Sequence, residues 1–333
     1  MTEIVLIIIS AVIGAGFATG AELLSFFGST GLSPFVTAVL VGVFSMILMT
    51  IMVYAKRKDS KITNVFFMTT YVLIFAVMST GVRHLAGLST MLVALVLCVL
   101  TVMWGFKSVT IVNKYLMFFV LGILLFTCLH ALVLDPNQST QTTSPTRGIW
   151  HGIWRALIYS GLNCLMLEKT YEAIKKQHSR RFIIISSAIA TAIICVMVFL
   201  ILTTLNYTGV KSDMPIVTLS DTVITRMAVL FCILTSMMIC LYNIVSKNQS
   251  QTKQSTVLLK SALVCLIAFC ASFFGFKDIL GFIYPLIGIG MVLYCVWLGW
   301  GLYRGWVACR QSSRRQLLGI DNAENSLDII SNK

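Results

Sequence analysis

The sequence predicts an all-α polytopic membrane protein. It has ten transmembrane helices in two five-helix halves of opposite orientation, with the first and sixth helices broken. Three observations predict this. The 333 residues are 58% hydrophobic and only 11% charged, whereas soluble domains carry about 25% charged residues; mean hydropathy is +0.91. A spanning helix needs about 20 mostly apolar residues, and such segments fall at 3–27, 33–55, 63–82, 86–106, 110–134, 150–168, 182–205, 223–246, 256–275 and 279–303. One long polar connection separates five of these from the other five.

The first span starts with the apolar run Ile4 to Ile13. It has no basic segment before it, so no cleavable signal is expected. The run meets Gly14-Ala15-Gly16-Phe17-Ala18-Thr19-Gly20. Each interior glycine costs a helix about 1 kcal/mol against alanine, so three in close succession predict a helix that breaks and restarts. In lipid, freed backbone groups are tolerated only where protein or a water-filled cavity surrounds them, which makes the break a candidate ligand site. The competing reading is that the glycines only let helices pack closely.

A break here frees carbonyls near Ser10 and Ile13. It exposes the amides of Ala15, Gly16 and Phe17 at the start of an outer half-helix, where the dipole favours an anion such as an amino acid carboxylate. Glu22 is expected about a turn and a half beyond Gly16, toward the outer face. Intramembrane ionisable residues are functional candidates by default. Glu22 can bind a cationic substrate, carry a proton, or pair with Arg83 or Arg155.

Residues 1–134 form the predicted first repeat. The connection 135–149 is Ser/Thr/Gln-rich with two prolines, residues 150–304 form the second repeat, and 305–333 form a tail. An odd number of spans per half inverts one half relative to the other, so the sixth span should be interrupted like the first. Its segment Leu157-Ile158-Tyr159-Ser160-Gly161-Leu162-Asn163-Cys164 fits. Paired interruptions point to a binding site at the midplane, which favours the ligand-site reading of the first span. Tyr159, Ser160, Gly161 and Asn163 would face its amides. Asn163 can equally be a helix-to-helix hydrogen bond, worth about 0.6 kcal/mol in membranes.

Residues 168–181 read as a charged inner loop or short helix, and 206–221, with Met214-Pro215, as an outer connection that can form a lid helix. In the eighth span Thr235 and Ser236 are adjacent hydroxyls. They can bond their own backbone, or join the freed carbonyls of the first span in an all-oxygen shell suited to sodium. Tyr284-Pro285 with Gly288 and Gly290 reads as a kink with close packing in the last span. The tail is expected to be flexible from Arg310, with Arg314-Arg315 on lipid headgroups.

Charge orients the chain. With the N-terminus inside, the inner loops and tail hold 19 of the 25 Lys and Arg residues, as cytoplasmic loops do. The net charge of +13 is therefore topological and argues against a nucleic-acid partner. The expected partners are the lipid bilayer and a small-molecule substrate; no feature sets an oligomeric state. The ten cysteines lie mostly in apolar segments without a Cys-x-x-Cys pair, and the four histidines are scattered. A metal or disulfide framework has no support, and no cofactor is expected beyond a coupling sodium ion. No Ser/His dyad, His-x-x-x-His or paired Asp within a span argues for an enzyme. A channel would want rings of like residues, and a sensor a soluble output domain.

Gly14-Ala15-Gly16-Phe17-Ala18-Thr19-Gly20-Ala21-Glu22 with Phe26-Phe27 resembles the opening signature of the YkvI family of bacterial membrane proteins, grouped with amino acid permeases of the APC superfamily. The sixth-span Tyr159-Ser160-Gly161-Leu162-Asn163 and the basic inner loops extend the similarity. Ala21 departs from it where glutamine is expected. More distantly the plan resembles the five-plus-five inverted repeat of the LeuT fold. That resemblance implies a sodium site from the carbonyls of Ser10, Ile13 and Cys232 with the hydroxyls of Thr235 and Ser236. It also implies that spans 1, 2, 6 and 7 rock against 3, 4, 8 and 9. The expected function is sodium-coupled symport of an amino acid or related zwitterion across a bacterial inner membrane, with both termini cytoplasmic. The alternatives are proton coupling through Glu22, or a non-transporting channel or sensor.

Overall fold

The computed structural model describes residues 2–55, 60–104, 106–134, 148–210, 212–220, 222–245, 254–273 and 276–317. The described residues form helices α1 (Thr2–Val12), α2 (Ala15–Thr19), α3 (Ala21–Phe27), α4 (Pro34–Tyr54), α5 (Lys61–Met103), α6 (Phe106–Leu134), α7 (Ile149–Ile174), α8 (Arg180–Thr208), α9 (Pro215–Leu219), α10 (Val223–Val245), α11 (Gln254–Ala271) and α12 (Phe276–Leu317).

The helix ends follow local chemistry. Ser33 precedes Pro34, and its hydroxyl accepts the Val36 amide at 3.3 Å, filling one of the donors a helix start leaves open. Ser179 stands in the same position before α8. That helix ends at Gly209, whose φ of 63° is the left-handed conformation glycine supplies at a C-terminus. At 43 residues, α5 contains Gly87 at φ 86° and ψ 174°. A straight helix of that length would run about 65 Å, twice the hydrocarbon thickness of a bilayer. The break divides it where the sequence separates two spans.

α1 lies at the centre, packed against α6, α7, α8 and α10. Ile4, Ile8, Ile9, Ala11 and Ile13 are all buried, as expected of a helix apolar all round. The outward faces are apolar too: Phe35, Val43 and Ile47 on α4, Phe118 and Phe126 on α6, and Leu286, Leu293 and Val296 on α12 are exposed. Soluble proteins rarely expose so much apolar surface to water. The chain is an all-helical, multi-pass membrane protein.

Six helices among the described residues are long and apolar enough to cross a membrane. Of the ten spans expected, the first falls on three short helices, the third and fourth fall together on α5, and those on α7 and α11 are not among the six.

Two further expectations are corrected. The sixth span is not interrupted, because α7 runs unbroken through Ser160 and Gly161 from Ile149 to Ile174. The helical tail persists to Leu317, so the expected flexibility from Arg310 does not hold there; the rest of the tail lies outside the described residues. The connection 135–147 also lies outside them.

Candidate functional site

The first span breaks where its glycines predict. After α1 the Gly14 amide, which a continuous helix would give to the Ser10 carbonyl, donates instead to Val12 at 2.9 Å. Gly14 then caps α2 in an extended conformation. An added Cβ at Gly14 would stand 3.1 Å from Met78 Cε and 3.2 Å from Ser236 Oγ, so glycine eases the close approach of α5 and α10. Gly20, at φ 73°, makes a second break that sequence reading did not separate from the first. Thr19 shapes it by donating to the Gly16 carbonyl at 3.1 Å and accepting the Ala21 amide at 3.3 Å.

This second break relocates Glu22. Instead of lying toward the outer interface, the chain reverses at Gly20 and folds Glu22 back on the first break, with its Cβ 2.8 Å from the position of a Cβ built on Gly16. The half-helix α2 is thus only five residues long, and the anion beside Gly16 is the protein's own carboxylate. Glu22 is 5% exposed. Arg83 donates to the Ser272 carbonyl at 2.8 Å and lies over the Phe273 ring, while Arg155 lies over Phe26.

Opposite the break stands α10. The Cys232 thiol donates to the Ile13 carbonyl at 3.2 Å and lies 3.4 Å from that of Gly14, which also accepts the Ala18 amide at 2.9 Å. Thr235 and Ser236 both donate to the Cys232 carbonyl, at 2.8 and 3.1 Å. These are the local backbone bonds such residues form readily, and they leave the hydroxyl lone pairs unspent. The Ser10 hydroxyl donates to Ile7 at 2.9 Å. Ile13, Cys232, Thr235 and Ser236 are all fully buried.

From α7 only part of the predicted set turns inward. Ser160 donates to Val41 on α4 at 3.1 Å and to Ala156 at 2.9 Å, so it binds helices together instead of facing the break. Gly161 packs against α12, where an added Cβ would lie 2.6 Å from the Gly288 carbonyl. Here close packing, and not a break, explains the glycine. Tyr159 stands edge-on to Phe26 and Phe27 at 5.3 and 5.5 Å, which fixes its ring. Its hydroxyl and the Asn163 side chain are neighbours without reaching hydrogen-bond geometry. Phe17 is fully buried in α2; the Ala15 side chain lies outside the described residues.

Between these elements is a cavity of about 20 Å³ lined by Gly14, Glu22, Met78, Asn163, Met166 and Tyr284 among others. That is room for roughly one water-sized body. The Tyr159 hydroxyl, the Asn163 Nδ2 and the Tyr284 hydroxyl are buried without a hydrogen-bond partner among the described residues. Glu22, Asn163 and Tyr284 line the same cavity. Buried polar groups are rarely left unpaired, and three around one carboxylate suit a polar guest. Tyr284 escaped sequence reading because Pro285 and two glycines beside it suggested only a kink. Its signal was a hydroxyl in mid-span.

No family model matches the chain. No curated protein matches it either. Among solved structures it is similar to a crystal structure of the Eremococcus coleocola manganese transporter in complex with an aromatic bis-isothiourea substituted compound. The two are 14% identical, with 88% of this chain and 70% of that one covered, at a TM-score of 0.43. Among the described residues no three His, Cys, Asp or Glu side chains gather as a metal site.

Proposed function

We propose that this protein is a secondary active transporter that moves an amino acid or related small zwitterion with sodium by alternating access. One observation carries the reading. At the broken first helix, Glu22 lines one small cavity with Asn163 and Tyr284, and the Asn163 Nδ2, the Tyr284 hydroxyl and the nearby Tyr159 hydroxyl are buried without a hydrogen-bond partner among the described residues. Glu22 suits the ammonium of a zwitterion, and the other three suit its remaining polar groups. Sodium would take oxygens from Ile13, Thr235 and Ser236, with those of Ser10 and Cys232 beside them. The cavity admits an ion or a water and not an amino acid, so cargo enters only after the walls move, as alternating access requires.

The helix neighbourhoods support ten spans in two inverted repeats. α1 packs on α8 as α7 packs on α4, α6 on α1 as α12 on α7, and α6 on α10 as α12 on α5. Each pair maps onto the other when the halves are exchanged. The YkvI and LeuT-fold kinship, a bacterial inner membrane and cytoplasmic termini belong to the same proposal.

A second reading, proton coupling, is favoured by Glu22 itself, since a lone buried charge is costly unless a cation or a proton neutralises it. A thermal-shift screen of the purified protein against amino acids, betaine and polyamines, in sodium and in potassium, separates the two. A ligand at 100 times its dissociation constant stabilises by about 2.7 kcal/mol. Sodium symport predicts a sodium-dependent shift lost in Thr235→Ala. Proton coupling predicts a shift indifferent to sodium, with accumulation abolished by Glu22→Gln and spared by Thr235→Ala. If no compound shifts the protein under either ion, the amino acid reading falls.

A further inference from the structure

A larger cavity, of about 590 Å³, opens far from this site, where α4 ends, α8 begins and α12 passes both. Its walls are Tyr54, Arg180, Trp297, Trp300, Gly301 and Arg304 among others. Arg180 lies over the Tyr54 ring at 5.7 Å, and Arg304 over Trp300 at 5.3 Å. These cation–π contacts hold the guanidiniums over aromatic faces and leave their donors for an anion. Among the described residues no acidic side chain lines the cavity.

The cavity is graded along α12. Trp297 and Leu298 lie two turns from Arg304, about 10 Å at the helical rise. One end is therefore basic, and the other is aromatic and aliphatic. Trp297 and Trp300 are half-exposed, so the cavity opens sideways to the bilayer. A free phosphate would use only the basic end. An amphiphile with an anionic head uses both.

We propose that this cavity is a specific site for an anionic phospholipid of the cytoplasmic leaflet, its phosphate between Arg180 and Arg304 and one acyl chain along Trp297 and Leu298. A lipid seated there joins α12 to α4 and α8.

The test is binding of phosphatidylglycerol to the detergent-purified protein, read by native mass spectrometry and by thermal shift, against phosphatidylcholine and inorganic phosphate. Phosphatidylglycerol alone should stabilise the protein. Arg180→Gln with Arg304→Gln should weaken its binding on the order of 30-fold, at about a fivefold contribution for each basic residue. Arg310→Gln, which alters a guanidinium over Trp306 outside the cavity, should leave binding unchanged. Gly301→Phe keeps both charges and fills the space, since nothing lies within 4 Å of a Cβ there; it should abolish lipid binding in a normally folded protein. Equal shifts from inorganic phosphate would overturn the lipid assignment. So would binding that survives Gly301→Phe, or that falls equally in Arg310→Gln.

Discussion

Where α7 crosses α12, Gly161 and Gly288 let two backbones meet, and a methyl group added to either has no room. In Gly161→Ala the new carbon would lie 2.6 Å from the Gly288 carbonyl oxygen and 2.8 Å from Val292 Cγ2. The first distance is about 0.8 Å short of an ordinary 3.4 Å contact, and its obstacle is backbone, which cannot swing aside. In Gly288→Ala the carbon would meet the Ile158 carbonyl and come 2.6 Å from Ile158 Cγ2. Either change forces the two helices apart. Overpacking of this kind costs about 1–3 kcal/mol, and a backbone obstacle puts both variants at the upper end. Once the helices have separated for one methyl, the second costs less, so the double variant should lose less than the sum. Gly122→Ala is the control: with nothing within 4 Å, it should gain about 0.5–1 kcal/mol from helix propensity. The assay is thermal unfolding in detergent, where each kcal/mol moves the midpoint by about 2 °C or less in a chain this long. If Gly161→Ala melts like Gly122→Ala, the tight crossing is refuted.

Other expectations follow from single contacts. Cys232→Ala removes the thiol from the Ile13 carbonyl and should destabilise by about 1 kcal/mol, the low end for stranding a buried acceptor because the thiol is a weak donor. Melting no lower than wild type would remove Cys232 from the support of the break. Lys175, just past the end of α7, donates to the Met52 and Ala55 carbonyls at the end of α4. Burial, and then the nearby Arg180, hold its pKa below the ordinary lysine value of 10.5. Between that lowered value and 10.5 the unfolded chain binds more protons, so Lys175 adds stability as pH rises. Lys175→Met should flatten that part of the stability–pH profile, and an unchanged slope would contradict the assignment.

Residue types alone determine most of the membrane character. Apolar stretches of spanning length have no other solvent, and the clustering of lysine and arginine in alternate loops needs no coordinates. The break after Val12 was legible in the run of three glycines from Gly14 to Gly20, although the middle one, Gly16, lies inside α2. What glycine does at Gly161 is not a local property. The same missing side chain serves as a break in one helix and as a crossing point in another. Only the neighbour decides, here the Gly288 backbone on α12. Glu22 teaches the converse. Counting residues along a helix put it toward the interface, but one left-handed glycine at position 20 reverses the chain and brings the carboxylate to the first break. Ser160 and Asn163 stand three residues apart on one helix, yet one is spent on the α4 backbone and the other lines the cavity. Sequence lists the groups able to bind a polar guest; packing selects which of them lose every other partner.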